Sequence, residues 1–325
     1  MSFHVDFNDR MEEKTLSEVY TETLAGLLAE DKAVVTIDAD LAHAHNTQKN
    51  IEEYPDRVLN VGIAEANMTG FAAGMAYGGK KPYIQTFGCF ATRRAFDQIF
   101  ISCAYGQNSV RIYGSDPGIC SAFNGATHTP FEDLGLMRTL PGATILEITD
   151  SVMFRYLLGK VKDMSGVIYL RASRASVKKV YSDNSDFTIG KGNVLADGND
   201  VTIVTGGILA AEALKAAKTL AGRGVSAAVI DMFTVKPIDK DLIAEYAKKT
   251  SAFVVTDNHN VNGGLGDAVA AVLCDRCPVP MKKLAVNDEY GEVGSVEYLQ
   301  NRFSLNEQGI IEKVDEVLQL KKQGQ

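Results

Sequence analysis

The sequence has no block of basic residues, no apolar run of the ~18 residues a membrane-spanning helix needs, and no charged-then-apolar leader. With a formal net charge of −8, the first two absences exclude nucleic acid and anionic membrane as expected partners. The third makes the cytoplasm the expected location. There is no internal repeat and no low-complexity segment. Cysteine is sparse. Cys89, Cys103, Cys120, Cys274 and Cys277 are odd in number and scattered, which fits free thiols in a reducing compartment. Cys274-Asp-Arg-Cys277 is a lone C-x-x-C without a second pair of ligands nearby, so no metal site is expected. Gly206-Gly207 and Gly263-Gly-Leu-Gly266 complete neither a dinucleotide fingerprint nor a Walker loop, and read as turns.

What is present is apolar and periodic. Hydrophobic residues make up 46% of 325, enough for two domains with separate cores. After a polar arm (1–12), residues 16–29 repeat apolar side chains at helical spacing. Short β-branched runs at 32–38, 57–61, 81–87, 110–113, 144–148 and 166–170 read as buried parallel strands. Helices are expected between them, at 94–105 and 151–162 among others. This alternation predicts a doubly wound α/β domain over 1–180. The polar stretch 178–186 reads as a linker. A second α/β domain follows over 187–325, with strands at 200–205, 226–231 and 252–256 and helices at 210–223, 239–249 and 266–273.

In open α/β sheets ligands sit at the carboxyl ends of the strands. That rule gathers Asp38, Asp40, His43, His45, Glu65, Phe87, Phe90, Asp116, Asn124, His128 and Arg174 on one edge. Glu65 stands alone in the apolar run Val61-Gly-Ile-Ala-Glu-Ala-Asn-Met-Thr-Gly70, where desolvation should raise its pKa into a range useful for proton chemistry. The alternative is a buried carboxylate that pairs with an arginine or caps the helix. Gly70, Gly74 and Gly78 fall on one helix face; three glycines, each costing about 1 kcal/mol against alanine, suggest close approach of another backbone. Phe87 and Phe90 could stack a planar ring or simply pack the core. His128, in Asn124-Gly-Ala-Thr-His-Thr-Pro130, is a catalytic candidate or part of a surface turn. Arg171 and Arg174 could hold a phosphate or be solvated charge. Asn258, His259, Asn260 and Asn262 form a polar loop without an assignment.

Taken together, Lys14-Thr-Leu-Ser-Glu, Asp38-Ala-Asp-Leu41, Gly62-Ile-Ala-Glu-Ala-Asn-Met68, Thr86-Phe-Gly-Cys-Phe90, Gly125-Ala-Thr-His-Thr-Pro130 and Ser173-Arg174 resemble, in order and spacing, the C-terminal two-thirds of transketolase. The resemblance implies a thiamine-diphosphate pyrimidine-binding domain followed by a transketolase C-terminal domain. The family's Gly-Asp-Gly motif for diphosphate and metal is absent from the sequence. The chain is therefore expected to be one subunit of a split transketolase. An N-terminal partner subunit would hold the diphosphate and magnesium, within a two-fold assembly of two copies of each. The resemblance assigns Glu65 to the aminopyrimidine nitrogen and Phe87, Phe90, Asp40 and Ile63 to the cofactor. It assigns His128 to proton transfer or the donor's hydroxyls, and Asp116, Asn124, Arg174, Lys14, His43 and, with them, Arg171 to a sugar phosphate substrate.

Several positions depart from the family pattern. Asp116 stands for a substrate-contacting histidine, Asn124 for a donor-reading aspartate, Arg93 for a third aromatic, and Ala44 for a phosphate-holding serine. These changes bear on which sugar is used. Three alternatives remain: the beta subunit of a 2-oxo acid dehydrogenase, which Lys236-Pro-Ile-Asp239 would suit; a deoxyxylulose-phosphate-synthase-like enzyme; and a non-catalytic α/β regulatory subunit.

Overall fold

A computed structural model describes residues 3–323. Seven strands form the first sheet: β1 (Val34–Asp38), β2 (Val58–Asn60), β3 (Lys81–Phe87), β4 (Val110–Ser115), β5 (Thr144–Glu147), β6 (Val167–Ala172) and, from much later in the chain, β10 (Thr234–Lys236). The second sheet is built from β7 (Asn193–Ala196), β8 (Val201–Thr205), β9 (Ala227–Asp231), β11 (Phe253–Asn260) and β12 (Met281–Val286). The orders are β10-β5-β6-β4-β3-β1-β2 and β12-β11-β8-β9-β7. All pairings are parallel except those of β10 with β5 and β7 with β9, one edge strand in each sheet.

Local sequence explains these elements. β1, β4, β6, β8 and β9 are buried at every position, as central parallel strands covered on both faces must be. The Leu16–Glu30 helix starts in a capping box in which Thr15 and Glu18 satisfy each other's backbone N–H groups. It buries Leu16, Val19, Tyr20, Leu24, Leu27 and Leu28. Asp150 caps the Ser151–Lys160 helix through the N–H of Met153.

The structure departs from the expectations, or adds to them, at four points. The helix expected at 94–105 is not α-helical throughout: Phe90–Arg94 and Ile99–Tyr105 are π-helical, with a single α turn at Phe96–Gln98 between them. The linker is not a loose tether. The N-terminal arm bridges to it, Val5 with Tyr181 and Met11 with Lys178, and Tyr181 is wholly buried. β10 was invisible as a strand of the first sheet because its three residues take their pairing from β5 rather than from any pattern of their own. Finally, a Cβ at Gly70 or Gly74 would have no atom within 4 Å, so no backbone of this chain approaches that face. Exposed Phe71 and Tyr77 lie on the same helix. No helix among the described residues is long and apolar enough to cross a membrane.

Candidate active site

Glu65 opens the Glu65–Tyr77 helix behind Ala64 and is only 3% exposed. Its Oε1 accepts a hydrogen bond from Arg94 Nη1 at 2.8 Å, and the same guanidinium lies over the Phe90 ring, 3.9 Å from its centroid. In this chain by itself, then, the pairing of Glu65 with an arginine is what is seen. The π-helical turn from Phe90 to Arg94 puts the cation and the ring one above the other.

Phe87 closes β3, and Phe90 follows it at 5.9 Å between centroids in an edge-to-face pair. His128 completes the cluster at 5.4 Å from Phe87 and 5.1 Å from Phe90. Partial burial, with help from the Arg94 and Arg174 charges, holds the His128 imidazole below its ordinary pKa. It is therefore neutral near pH 7, with one ring nitrogen able to donate and the other to accept. Its Nδ1 lies 2.8 Å from Thr127 Oγ1, and the Thr127 carbonyl accepts from Arg93. Arg93 also pairs with Glu132, so it braces the histidine loop from outside.

Arg174 lies over the other side of the cluster, 4.5 Å from the Phe87 centroid. Its Nε donates to Asp116 Oδ2 at 2.6 Å, its backbone N–H to Asp116 Oδ1 at 3.0 Å, and its Nη1 to the Ala44 carbonyl at 3.3 Å. Burial pushes the Asp116 carboxyl up from its ordinary value and the Arg174 charge opposes that. We take the pair as ionised, because both Asp116 oxygens accept from Arg174. Nη2 remains for a ligand. Asn124 is exposed at the end of the 3₁₀ turn Gly118–Asn124.

The other candidates divide. His45 is wholly buried between Ser115 Oγ and the Leu41 carbonyl, and burial lowers its pKa to about 3, so it fixes its loop as a neutral ring. Asp38 accepts from Gln85 Nε2 and the Leu41 N–H and shapes the same loop. Asp40 is exposed in a left-handed conformation, held by Asn60. Ile63 is 76% exposed. His43 is exposed against the Gln48 amide. Lys14 pairs with Glu22 in solvent.

Arg171 is neither a ligand-binding group nor a solvated one. It is 0% exposed, with Nε 2.7 Å from Asp133 Oδ2 and Nη1 2.5 Å from Glu147 Oε1. Arg171 lies within β6, whereas Arg174 stands two residues beyond its end, which separates the two. Lys236 is structural too: its Nζ donates to the Arg138 and Leu140 carbonyls, and Asp239 caps the next helix. Sequence reasoning missed Arg94, although its place four residues after Phe90 was the available signal. The five cysteines are free, and the described residues contain no group of three metal-ligating side chains.

The family profile for the transketolase pyrimidine binding domain matches residues 12–179, and that for the transketolase C-terminal domain matches 190–310. A 6-deoxy-6-sulfo-D-fructose transketolase subunit from Clostridium sp. (strain MSTE9) is 41% identical over 97% of this chain and 98% of its own length. Rat transketolase is 31% identical over 91% of this chain but only 48% of its own length. Among solved structures, a split gene transketolase, an inactive beta4 tetramer, superposes with a TM-score of 0.87 at 38% identity, covering 95% of this chain and all of that one.

Proposed function

Because this chain belongs to the transketolase family, with its pyrimidine-binding and C-terminal domains, we propose that it is the subunit of a thiamine-diphosphate-dependent transketolase that completes its active site with an N-terminal partner subunit. The reaction is transfer of a two-carbon ketol unit from a ketose to an aldose. Bound thiamine diphosphate supplies the electron sink for carbon–carbon cleavage.

The observation that carries the reading is the place of Arg94. Its guanidinium is a flat group with N–H donors, laid on Phe90 and bonded to a buried carboxylate. An aminopyrimidine is also flat and also carries N–H donors. Glu65 and Phe90 therefore fit that ring, which would take the place Arg94 occupies here. Glu65 holds the proton on the ring-nitrogen side, and the Phe87, Phe90 and His128 cluster keeps water from that face. Asp40 and Ile63 form the outer margin toward the partner. The diphosphate and magnesium belong to the partner, since the sequence lacks the Gly-Asp-Gly motif.

On the sugar side, neutral His128 donates to or accepts from the donor's hydroxyls and moves a proton at Nε2. Asn124 reads a hydroxyl, and Arg174 Nη2, its guanidinium set by the buried Asp116, holds the distal end. Because Asp116 neutralises much of the Arg174 charge and Ala44 has no hydroxyl, this end suits a singly charged or polar terminus. A sulfonated sugar, the substrate in the name of the Clostridium relative, has such a terminus. His43 and Lys14 stand farther out, as contacts for an anionic terminus. The open Gly70–Gly74 face, with Phe71 and Tyr77, packs on a second copy in a two-fold assembly.

The test uses the purified chain, alone and mixed with the N-terminal subunit, given thiamine diphosphate and magnesium. Two-carbon transfer from a ketose in the mixture only is the expected result. Transfer from pyruvate instead would move the chain to another thiamine-dependent reaction, and a mixture that fails to bind the cofactor would defeat the proposal.

A further inference from the structure

The run Asp257-Asn258-His259-Asn260 has no part in the chemistry described so far. It is the carboxyl end of β11, where the pairing with β12 is interrupted between Thr256 and Asn260, and it reaches into the first domain. Asn260 N donates to the Phe131 carbonyl at 2.9 Å, and Arg171 Nη2 donates to the Asn258 carbonyl at 2.7 Å. The Asn258 side chain is 1% exposed and both of its ends are used. Oδ1 accepts from Ile119 N at 2.9 Å, and Nδ2 donates to the Pro117 carbonyl at 2.9 Å. An amide offers a donor and an acceptor side by side in one plane, matched here to a carbonyl and an N–H two residues apart.

What Asn258 grips is the turn that follows β4. That turn begins at Asp116, a non-glycine residue at φ +54°, and passes Gly118 at φ +51° and Ala122 at φ +45°. A Cβ at Gly118 would sit 2.1 Å from Asn258 Oδ1, so the amide rests directly on the backbone it holds. Left-handed conformations at Asp116 and Ala122 persist only where the surroundings over-determine them. Arg174 fixes Asp116 from one side. Asn258 fixes the next three residues from the other.

We propose that Asn258 is a positioning residue for the sugar: on a turn that the Val296–Arg302 helix also packs against, its amide supplies the paired side-chain hydrogen bonds that hold residues 116–124 in the shape that presents Asp116 and Asn124 beside His128 and Arg174. The inference rests on the reading that Asp116, buried with both oxygens on Arg174, sets that guanidinium for the sugar. Glu65, Phe87 and Phe90 stand on other elements, so Asn258 should govern the sugar and leave the cofactor untouched.

The experiment is steady-state kinetics of the complex with the N-terminal subunit, alongside thiamine diphosphate binding by titration. Asn258→Ala removes two buried hydrogen bonds and should raise the ketose KM about tenfold, with cofactor affinity unchanged. Asn258→Asp keeps the volume and the acceptor but loses the donor. It should shift KM in the same direction by less, and it carries the test if the alanine variant does not assemble. Asp116→Asn is run in parallel. If Asp116→Asn leaves KM at the wild-type value, the turn does not read the sugar and the underlying reading fails. If Asp116→Asn raises KM while both Asn258 variants do not, the positioning role alone is overturned. A joint loss of cofactor affinity and assembly in Asn258→Asp would overturn it as well, since that marks a residue needed only for the fold.

Discussion

The two sheets have the same build and use their carboxyl edges in opposite ways. The edge of the first sheet opens outward and carries the Phe87, Phe90 and His128 cluster with Glu65 and Arg174 around it. The edge of the second sheet is stopped by the first domain. Gly206 and Gly207, after β8, lie against the Glu147 carboxylate, which a Cβ on Gly207 would meet at 2.8 Å. Asp231, ending β9, accepts from Thr149 Oγ1 and the Tyr181 hydroxyl, each at 2.7 Å. Asn258, near the end of β11, holds the Pro117–Ile119 backbone. The topological rule says where a ligand can sit. Whether one does depends on what the neighbouring domain leaves uncovered. Arg171 and Arg174 condense this contrast into four residues, one sealed in the domain contact and one at the open rim.

The contrast can be broken first at its open edge. Glu65→Gln keeps the shape of the side chain and removes the proton-holding carboxylate. Two-carbon transfer by the complex should fall about 100-fold or more, with the melting temperature little changed. Near-normal turnover would sink the catalytic role of Glu65. The closed edge is tested at Arg171. Arg171→Met strands the buried carboxylates of Asp133 and Glu147, at an expected loss of ~3–5 kcal/mol in chemical denaturation. A loss below ~1 kcal/mol would mean that the triad does not hold the contact.

A subtler probe is pH. Burial pushes the Asp231 carboxyl from 3.8 to about 7, and its Oδ1 has no hydrogen-bond partner. A carboxyl that titrates higher in the folded chain than in the unfolded one contributes all its stability below the unfolded value. That contribution is lost as pH climbs through the folded value, here from about 4 to about 7. Asp231→Asn is neutral at every pH. Its stability relative to the parent should improve by roughly 2 kcal/mol between pH 5 and pH 8, read from paired denaturation curves. Parallel curves for the two proteins would show that Asp231 does not titrate in that window.

Most of the fold could be read in the sequence because its strands are buried on both faces and so are nearly pure β-branched and apolar runs. β3 was placed at residues 81–87, where it lies. What escaped detection depends on partners distant in sequence. β10 is a strand only because β5 is beside it. The polar linker is pinned only because the N-terminal arm crosses it. In the candidate site, the residue pattern left Glu65, Phe87, Phe90 and His128 with structural alternatives and the family resemblance singled them out; the fold brings Phe87, Phe90 and His128 into one cluster. Arg171 could not be told from Arg174, since both are arginines at one strand end and only the fold decides which of them faces Asp133. The assignment of Arg94 to Glu65 was out of reach for a similar reason: 29 residues separate them.

The π-helical stretches, Phe90–Arg94 and Ile99–Tyr105, have a consequence for how this segment tolerates insertions and deletions. A π turn carries one residue more than the α turn around it. Deleting one residue from the 91–93 stretch would restore regular helical hydrogen bonding and turn everything beyond it by about 100°. Arg94 would leave both Phe90 and Glu65, while no apolar residue of the β3 core would move. The helix would become more regular, and the Arg94 contacts that cover Glu65 and Phe90 in this chain by itself would be lost. A scan of single-residue deletions would therefore separate what this segment needs for folding from what it needs for its neighbours, a distinction that substitutions blur.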